Sequence, residues 1–232
     1  MSKRNLGSKI KLSSYDDMFG VNVAENENVN EENQIKDVAL SELHPFKNHP
    51  FKVIDDEKME EMVESVKQYG ILVPAIVRER AEGGYELISG HRRHHAAVLA
   101  GLEEMPVIVK KCDDDESTVI MVDANIQRED ISVSEKAKAY RMKYDAMKHQ
   151  GASGGISLAE MSESAGESRK TIQRLIYLSN LTEELLELID NKKIGIAQGV
   201  DLAFIPKEEQ DGCIYQYGTV GTCQECSKGR SF

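Results

Sequence analysis

The segment from Tyr85 to Gly101, YELISGHRRHHAAVLAG, constrains the fold more than any other stretch. Tyr85-Glu86-Leu87-Ile88 has the composition of a β-strand. Gly90 permits a sharp turn, and His91 to Ala100 reads as a helix ended by Gly101. Ala96, Ala97 and Ala100 give that helix a flat face for close packing. A strand that feeds a helix this way needs other strands beside it. Pro74-Ala75-Ile76-Val77-Arg78 supplies one across the Gly83-Gly84 turn, and Met105-Pro106-Val107-Ile108-Val109 supplies another. Val38-Ala39-Leu40 is short enough for an edge strand. Between these, Asp55 stands as a cap before an amphipathic helix. Its acids lie in the first turn, its stripe is Met59, Met62, Val63 and Val66, and Gly70 stops it.

Beyond Val109 the pattern becomes helical. Helices are expected near 115–127 and 133–149, the second opened by the capping box Ser132-x-x-Glu135 and striped by Ala137, Tyr140, Tyr144 and Met147. Gly151-Ala152-Ser153-Gly154-Gly155 breaks the chain, and helices resume to about Gln210. Residues 1–36 contain AENENVNEENQ, which lacks apolar periodicity and reads as a disordered tail. Residues 211–232 hold three of the four cysteines (Cys213, Cys223, Cys226) and keep no period. The expectation is an α+β protein. An N-terminal α/β domain spans 37–130, an all-α domain spans 131–210, and irregular tails flank them.

Composition narrows the function. A chain of 232 residues with 30% charged and 40% apolar side chains is a globular composition for one or two domains. No run approaches the ~18 apolar residues of a membrane span, and the N-terminus lacks the apolar core of a secretory signal. Few, unevenly placed cysteines fit a reducing cytoplasm. The net charge of −11 argues against a surface coated in nucleic-acid-binding residues, but not against a local basic face.

Three constellations carry chemistry. In Ile88-Ser89-Gly90-His91-Arg92-Arg93 a helix begins with two arginines in its first turn. Backbone N–H groups at a helix start attract anions, glycine allows close approach, and arginine forks onto phosphate oxygens. That describes a triphosphate cradle, with an ordinary solvated cap as the plainer reading. No G-x-x-x-x-G-K-[ST] loop is present. Asn125-Ile126-Gln127-Arg128-Glu129-Asp130 joins two helices and carries phosphate- and metal-binding side chains, or is a polar turn. The third runs from Leu158-Ala159-Glu160 through Gly166 to a helix capped by Ser168. It has the pattern of a helix-turn-helix, with Ile172, Leu175 and Ile176 inward. Ser168, Arg169, Lys170, Thr171, Gln173 and Arg174 then face outward, as types that bind phosphates and read grooves. His91, His94 and His95 share a helix face, as metal ligands can, and Cys223-x-x-Cys226 is a weak zinc or redox pattern.

With these residues in place the chain resembles the ParB partition-protein family over roughly residues 38–210. HPFKNHPFKVIDDEKMEEMVESVKQYGILVPAIVRE resembles its first box, ISGHRRHHAAVLAGL its G-E-R-R box, and NIQREDISVSEKAKAY its E-N-x-Q-R-E-D-L box. The resemblance implies a ParB/sulfiredoxin-like domain binding CTP with Mg²⁺, followed by a domain that loads onto double-stranded DNA at a centromere-like site. Nucleotide and DNA then drive self-association through the N-terminal domain into a sliding clamp. A ParA-type ATPase moves the assembly and is recruited by a basic N-terminal peptide, for which Lys3, Arg4, Lys9 and Lys11 are candidates. The protein would be cytoplasmic and associated with a nucleoid or plasmid.

By the same resemblance, Gly90, His91, Arg92 and Arg93 hold the phosphates, and His49 and Lys52 border the nucleotide. Asn125 and Arg128 lie on the metal and phosphate side, with Asn125 as a metal ligand. Two positions depart from the family: His91 stands where it usually has Glu, and Ala124 replaces the Glu before Asn125. Asp123 points about 100° away on a helix. Hydrolysis of CTP is therefore expected to be weak at most. The family usually continues to a C-terminal dimerisation domain, whereas DGCIYQYGTVGTCQECSKGRSF is foreign to its pattern, so a chain that is mostly monomeric without ligand is expected. Two other readings use the same scaffold. A transcriptional regulator differs only in where its DNA site lies. A phosphotransferase needs a carboxylate by the phosphates and leaves the helix-turn-helix unexplained. Its sulfiredoxin-like form needs a cysteine where Gly90 stands.

Overall fold

The computed structural model describes residues 34–212 except 129, 152, 153 and 211. The basic N-terminal residues and the cysteines at 213, 223 and 226 lie outside the described residues.

The chain enters as β1 (Ile35–Ala39), a single 3₁₀ turn (Leu40–Glu42) and β2 (Leu43–Pro45). Helix α1 (Glu57–Tyr69), strands β3 (Ala75–Glu79) and β4 (Tyr85–Ser89), α2 (His91–Ala100) and β5 (Glu104–Val109) follow. The remainder is helical: α3 (Asp114–Ile126), α4 (Val133–His149), α5 (Gly154–Ala165), α6 (Arg169–Leu178), α7 (Glu183–Asp190) and α8 (Ile196–Leu202).

The five strands form one mixed sheet in the order β1-β5-β3-β4-β2. β1–β5 and β3–β4 pair antiparallel, and β3–β5 and β2–β4 pair parallel. Alternation buries Ala75 and Val77 of β3 and Met105 and Val107 of β5 together with Leu87 of β4. β1 is an edge strand as expected, but it begins at Ile35, two residues inside the expected tail. β2 was not legible: three residues are too few to show a period, and its parallel partner β4 is about forty residues away.

Each helix start has a local cause. Asp56, not Asp55, caps α1: its carboxylate accepts from the Met59 N–H at 2.9 Å. Asp55 instead meets Nε2 of His95 at 2.7 Å. Asp113 and Glu116 close a capping box at α3, and Ser132 and Glu135 close the expected one at α4. Beyond β5 the core is continuous. Phe46, Phe51 and Ile88 from the sheet half share it with Met121, Ile126, Tyr140, Ile172, Leu178 and Leu186. Gly199 lets α8 close on its neighbours, since a Cβ there would lie 2.6 Å from Ile189 Cδ1 and 2.8 Å from Leu178 Cδ2.

Candidate nucleotide and nucleic-acid sites

The start of α2 differs from its neighbours. Gly90 is the N-cap in a left-handed conformation (φ 106°), no side chain caps the helix, and its first turn holds no acid. α1, α3, α4 and α6 are each capped by an Asp or Ser side chain. The first N–H groups of α2 therefore lack the side-chain acceptor those helices have, at the positive end of its dipole. Glycine is required here twice over: by φ, and because a Cβ would sit 2.9 Å from the Cβ of Ala75.

The three side chains after Gly90 already hold protein partners. His91 Nε2 accepts from the Phe46 N–H at 3.4 Å. Arg92 Nη2 pairs with Asp56 Oδ1 at 3.0 Å, tying α2 to the cap of α1. Arg93 Nη1 donates to the carbonyls of Val73 and, at 2.8 Å, Pro74, and burial lowers its pKa. The arginines thus brace the start of α2, and among the described residues no side chain caps its first backbone amides. His94 and His95 part company: a buried His94 Nε2 lacks a hydrogen-bond partner among the described residues, while His95 binds Asp55.

The first and second boxes meet at two imidazoles. The His49 and His91 rings stand 3.8 Å apart, centroid to centroid. His49 Nδ1 donates to the Phe51 carbonyl at 2.7 Å, which leaves its buried Nε2 an acceptor without a partner among the described residues. Burial pushes the His91 pKa down to about 3, helped by the neighbouring His49 and His94. Burial also lowers His49, opposed by its bond to Phe51 and by Glu135, while Arg128 adds to the lowering. The third box is thus within electrostatic reach of the first. The Lys52 N–H also donates to Glu135 at 2.7 Å, so the Lys52 backbone, rather than its ammonium, makes that contact. Glu135 was not singled out from sequence because its capping role already explained it.

Three of the described carboxylates near this junction are committed. Glu135 holds the backbone N–H groups of Lys52 and Ser132, Asp130 takes Arg128 through both oxygens, and Asp123 binds the buried Lys143 ammonium at 2.5 Å. Asp123 is therefore occupied rather than available to replace the carboxylate missing at Ala124. Asn125 donates Nδ2 to the Met121 carbonyl at 2.8 Å. Magnesium favours carboxylate oxygens together with phosphate and water. These residues do not build a centre for it unaided, whereas the uncapped helix start fits an anionic phosphate.

The helix-turn-helix forms as expected. Gly166 turns the chain at φ 68°, and Ser168 caps α6 by accepting from the Thr171 N–H at 3.1 Å. Ile172, Leu175 and Ile176 are buried, while Ser168, Arg169, Lys170, Thr171, Gln173 and Arg174 are exposed on one surface. Lys143 also donates to Ser164 Oγ at 3.0 Å and Gln127 to the Ser164 carbonyl at 3.1 Å, so the end of α5 is tied to α4 and to the C-cap of α3. Sequence reading missed a groove of about 760 Å³ near the start of β4, lined by His44, Lys47, Arg78, Glu86, Cys112 and Asp114. In it Arg78 pairs with Glu86, its cross-strand neighbour, and with Asp114.

Comparison with known proteins matches this geometry to a family. Residues 24–126 match the ParB N-terminal domain. A probable chromosome-partitioning protein ParB from Vibrio cholerae is 30% identical over 179 residues, covering 77% of this chain and 59% of the relative. A nucleoid occlusion protein from Listeria monocytogenes is 28% identical over 181 residues, covering 78% and 61%. The chain thus spans about three-fifths of the length of these relatives. A C-terminally truncated ParB from Caulobacter crescentus, solved in complex with the centromeric parS site, shares the fold with a TM-score of 0.51 at 22% identity, covering 78% of this chain and 96% of that one. No described helix is long and apolar enough to cross a membrane. The mixed sheet and these matches agree: over residues 24–126 the chain belongs to the ParB N-terminal domain family, and over most of its length it is similar to ParB-type partition proteins.

Proposed function

We propose that this protein is a sequence-specific DNA-binding partition protein whose N-terminal domain binds CTP and uses it to switch a clamp. The observation that carries the nucleotide part is the uncapped, acid-free start of α2 at Gly90, where His49 of the first box stands against His91, with Arg128 within electrostatic reach of His49. Phosphates would take the free amides of α2, and Arg92 and Arg93 would turn toward them from their present carbonyl and carboxylate partners. Mg²⁺ would arrive on the phosphates, with the Asn125 side-chain oxygen as its protein contact. The surface of Arg169, Lys170, Gln173 and Arg174 would lie in the groove of double-stranded DNA at a centromere-like site, with Ser168 and Thr171 at the phosphates. Self-association through the N-terminal domain would follow when both ligands are bound, and a ParA-type ATPase would engage Lys3, Arg4, Lys9 and Lys11. The body would be nucleoid- or plasmid-associated in the cytoplasm, and CTP turnover slow.

A DNA-bound regulator of the nucleoid-occlusion type is a second reading, favoured by the Listeria relative, and uses the same two sites. Calorimetry with CTP, ATP, GTP and UTP, each with Mg²⁺, tests the nucleotide part. Saturable binding of CTP above the others is expected, and no heat with CTP contradicts it.

A further inference from the structure

Gln173 leaves α6 at the centre of the exposed basic surface, and Tyr177 lies one turn further along the same face. The Gln173 amide nitrogen donates to the Tyr177 hydroxyl at 3.3 Å. The Tyr177 ring is braced in turn by Phe204, with centroids 5.2 Å apart and planes inclined at 48°. Phe204 is 69% exposed, so most of its ring contributes nothing to the core. The backbone that carries it is nevertheless anchored. Gly199 sets how closely α8 approaches Leu178, the residue after Tyr177, and the turn beyond α8 is held by the Ile205 N–H on the Leu202 carbonyl at 3.0 Å.

A glutamine on an open helix face ordinarily samples many rotamers, and that freedom is lost on binding. Here one N–H of the amide is taken by Tyr177. The other N–H and the carbonyl oxygen remain, which is the donor and acceptor pair that matches N7 and the N6 amino group of adenine in the major groove.

We infer that Tyr177 and Phe204 are positioning residues for Gln173, and that the amide they hold reads an adenine at one base pair of the DNA site. The inference rests on the DNA-binding reading of α6 and adds to it which base is read and what aims the reader. Tyr177 touches the reader, and Phe204 acts through Tyr177.

The test is selection of a randomised duplex library by the full chain, run for the parent, Gln173→Ala, Tyr177→Phe, Phe204→Ala and Phe204→Tyr, with thermal unfolding of each. The parent is expected to enrich an adenine at one position, and Gln173→Ala to lose it. Tyr177→Phe, which deletes only the hydroxyl, should weaken the preference at that same position about threefold to tenfold, the scale of ordering one side chain on binding. Its unfolding midpoint and its affinity for unselected DNA should not change. Phe204→Ala should behave like Tyr177→Phe, and Phe204→Tyr should restore the preference. Adding Tyr177→Phe to Gln173→Ala should cost nothing further.

If Gln173→Ala loses the base and Tyr177→Phe keeps it in full, the positioning role is wrong while DNA reading by α6 stands. Uniform weakening of Tyr177→Phe on all sequences also overturns the role, because it means a backbone contact. A parent that enriches no sequence overturns both this inference and the DNA-binding reading.

Discussion

The imidazoles of His49 and His91 face one another at 3.8 Å, and neither ring is placed to carry a charge. Burial and the neighbouring imidazoles push the His91 pKa down to about 3, against 6.5 for an open histidine. The unfolded chain therefore binds a proton at this residue between about pH 6.5 and 3, where the folded chain does not. Its contribution is complete above pH 6.5 and is lost as pH falls, by about 2 kcal/mol at pH 5 for this residue alone. His49 and His94 are lowered as well and act in the same sense. Thermal unfolding should show a midpoint that falls from neutral pH toward pH 4.5, and His91→Asn should flatten that slope. An unchanged slope in the variant would show that His91 titrates normally in the fold.

Gly90→Ala should destabilise the protein by about 1–3 kcal/mol, the usual cost of a forced left-handed backbone, with a further penalty for the 2.9 Å approach to Ala75. Gly70→Ala is the comparison. Its φ is 71°, but nothing lies within 4 Å of a Cβ there, so the loss should be smaller. Equal midpoints for the two variants would mean that the close packing of α2 on β3 is not rigid.

CTP turnover by the parent should be slow or absent, because Ala124 provides no carboxylate and Asp123 is held by Lys143. Ala124→Glu should raise the rate of phosphate release if positioning of metal or water limits it. A parent that turns over CTP faster than this variant would contradict the assignment.

Lys170→Ala should weaken binding to all DNA sequences alike and reduce the slope of log affinity against log salt by about 1, as expected when a single phosphate contact is lost. Titrations at several salt concentrations measure this. An unchanged slope would place Lys170 away from the phosphates.

Local signals carried much of the fold. The bounds of α2 follow from Gly90 and Gly101, and the capping box at Ser132 and the Ser168 cap of α6 stand where the residue types put them. What was not legible depends on residues far apart in the chain. β2 exists because β4 is beside it, and Arg92 is turned toward Asp56 across 36 positions, which no periodicity records. The same holds for Glu135, whose cap role is local but whose bond to the Lys52 N–H joins residues 83 positions apart. The Asp55–Asp56 pair shows the finer limit: either carboxylate suits a cap, and the backbone selects the one adjacent to the first helical turn.

The most direct test of the clamp reading is chromatin immunoprecipitation with sequencing of the tagged protein in its own cells. One site with enrichment spreading over kilobases to either side, lost in Gly90→Ala and Arg93→Ala variants that still fold, is the predicted result. Narrow peaks confined to scattered promoters would contradict the clamp and favour a regulator. No enrichment anywhere would contradict DNA binding itself.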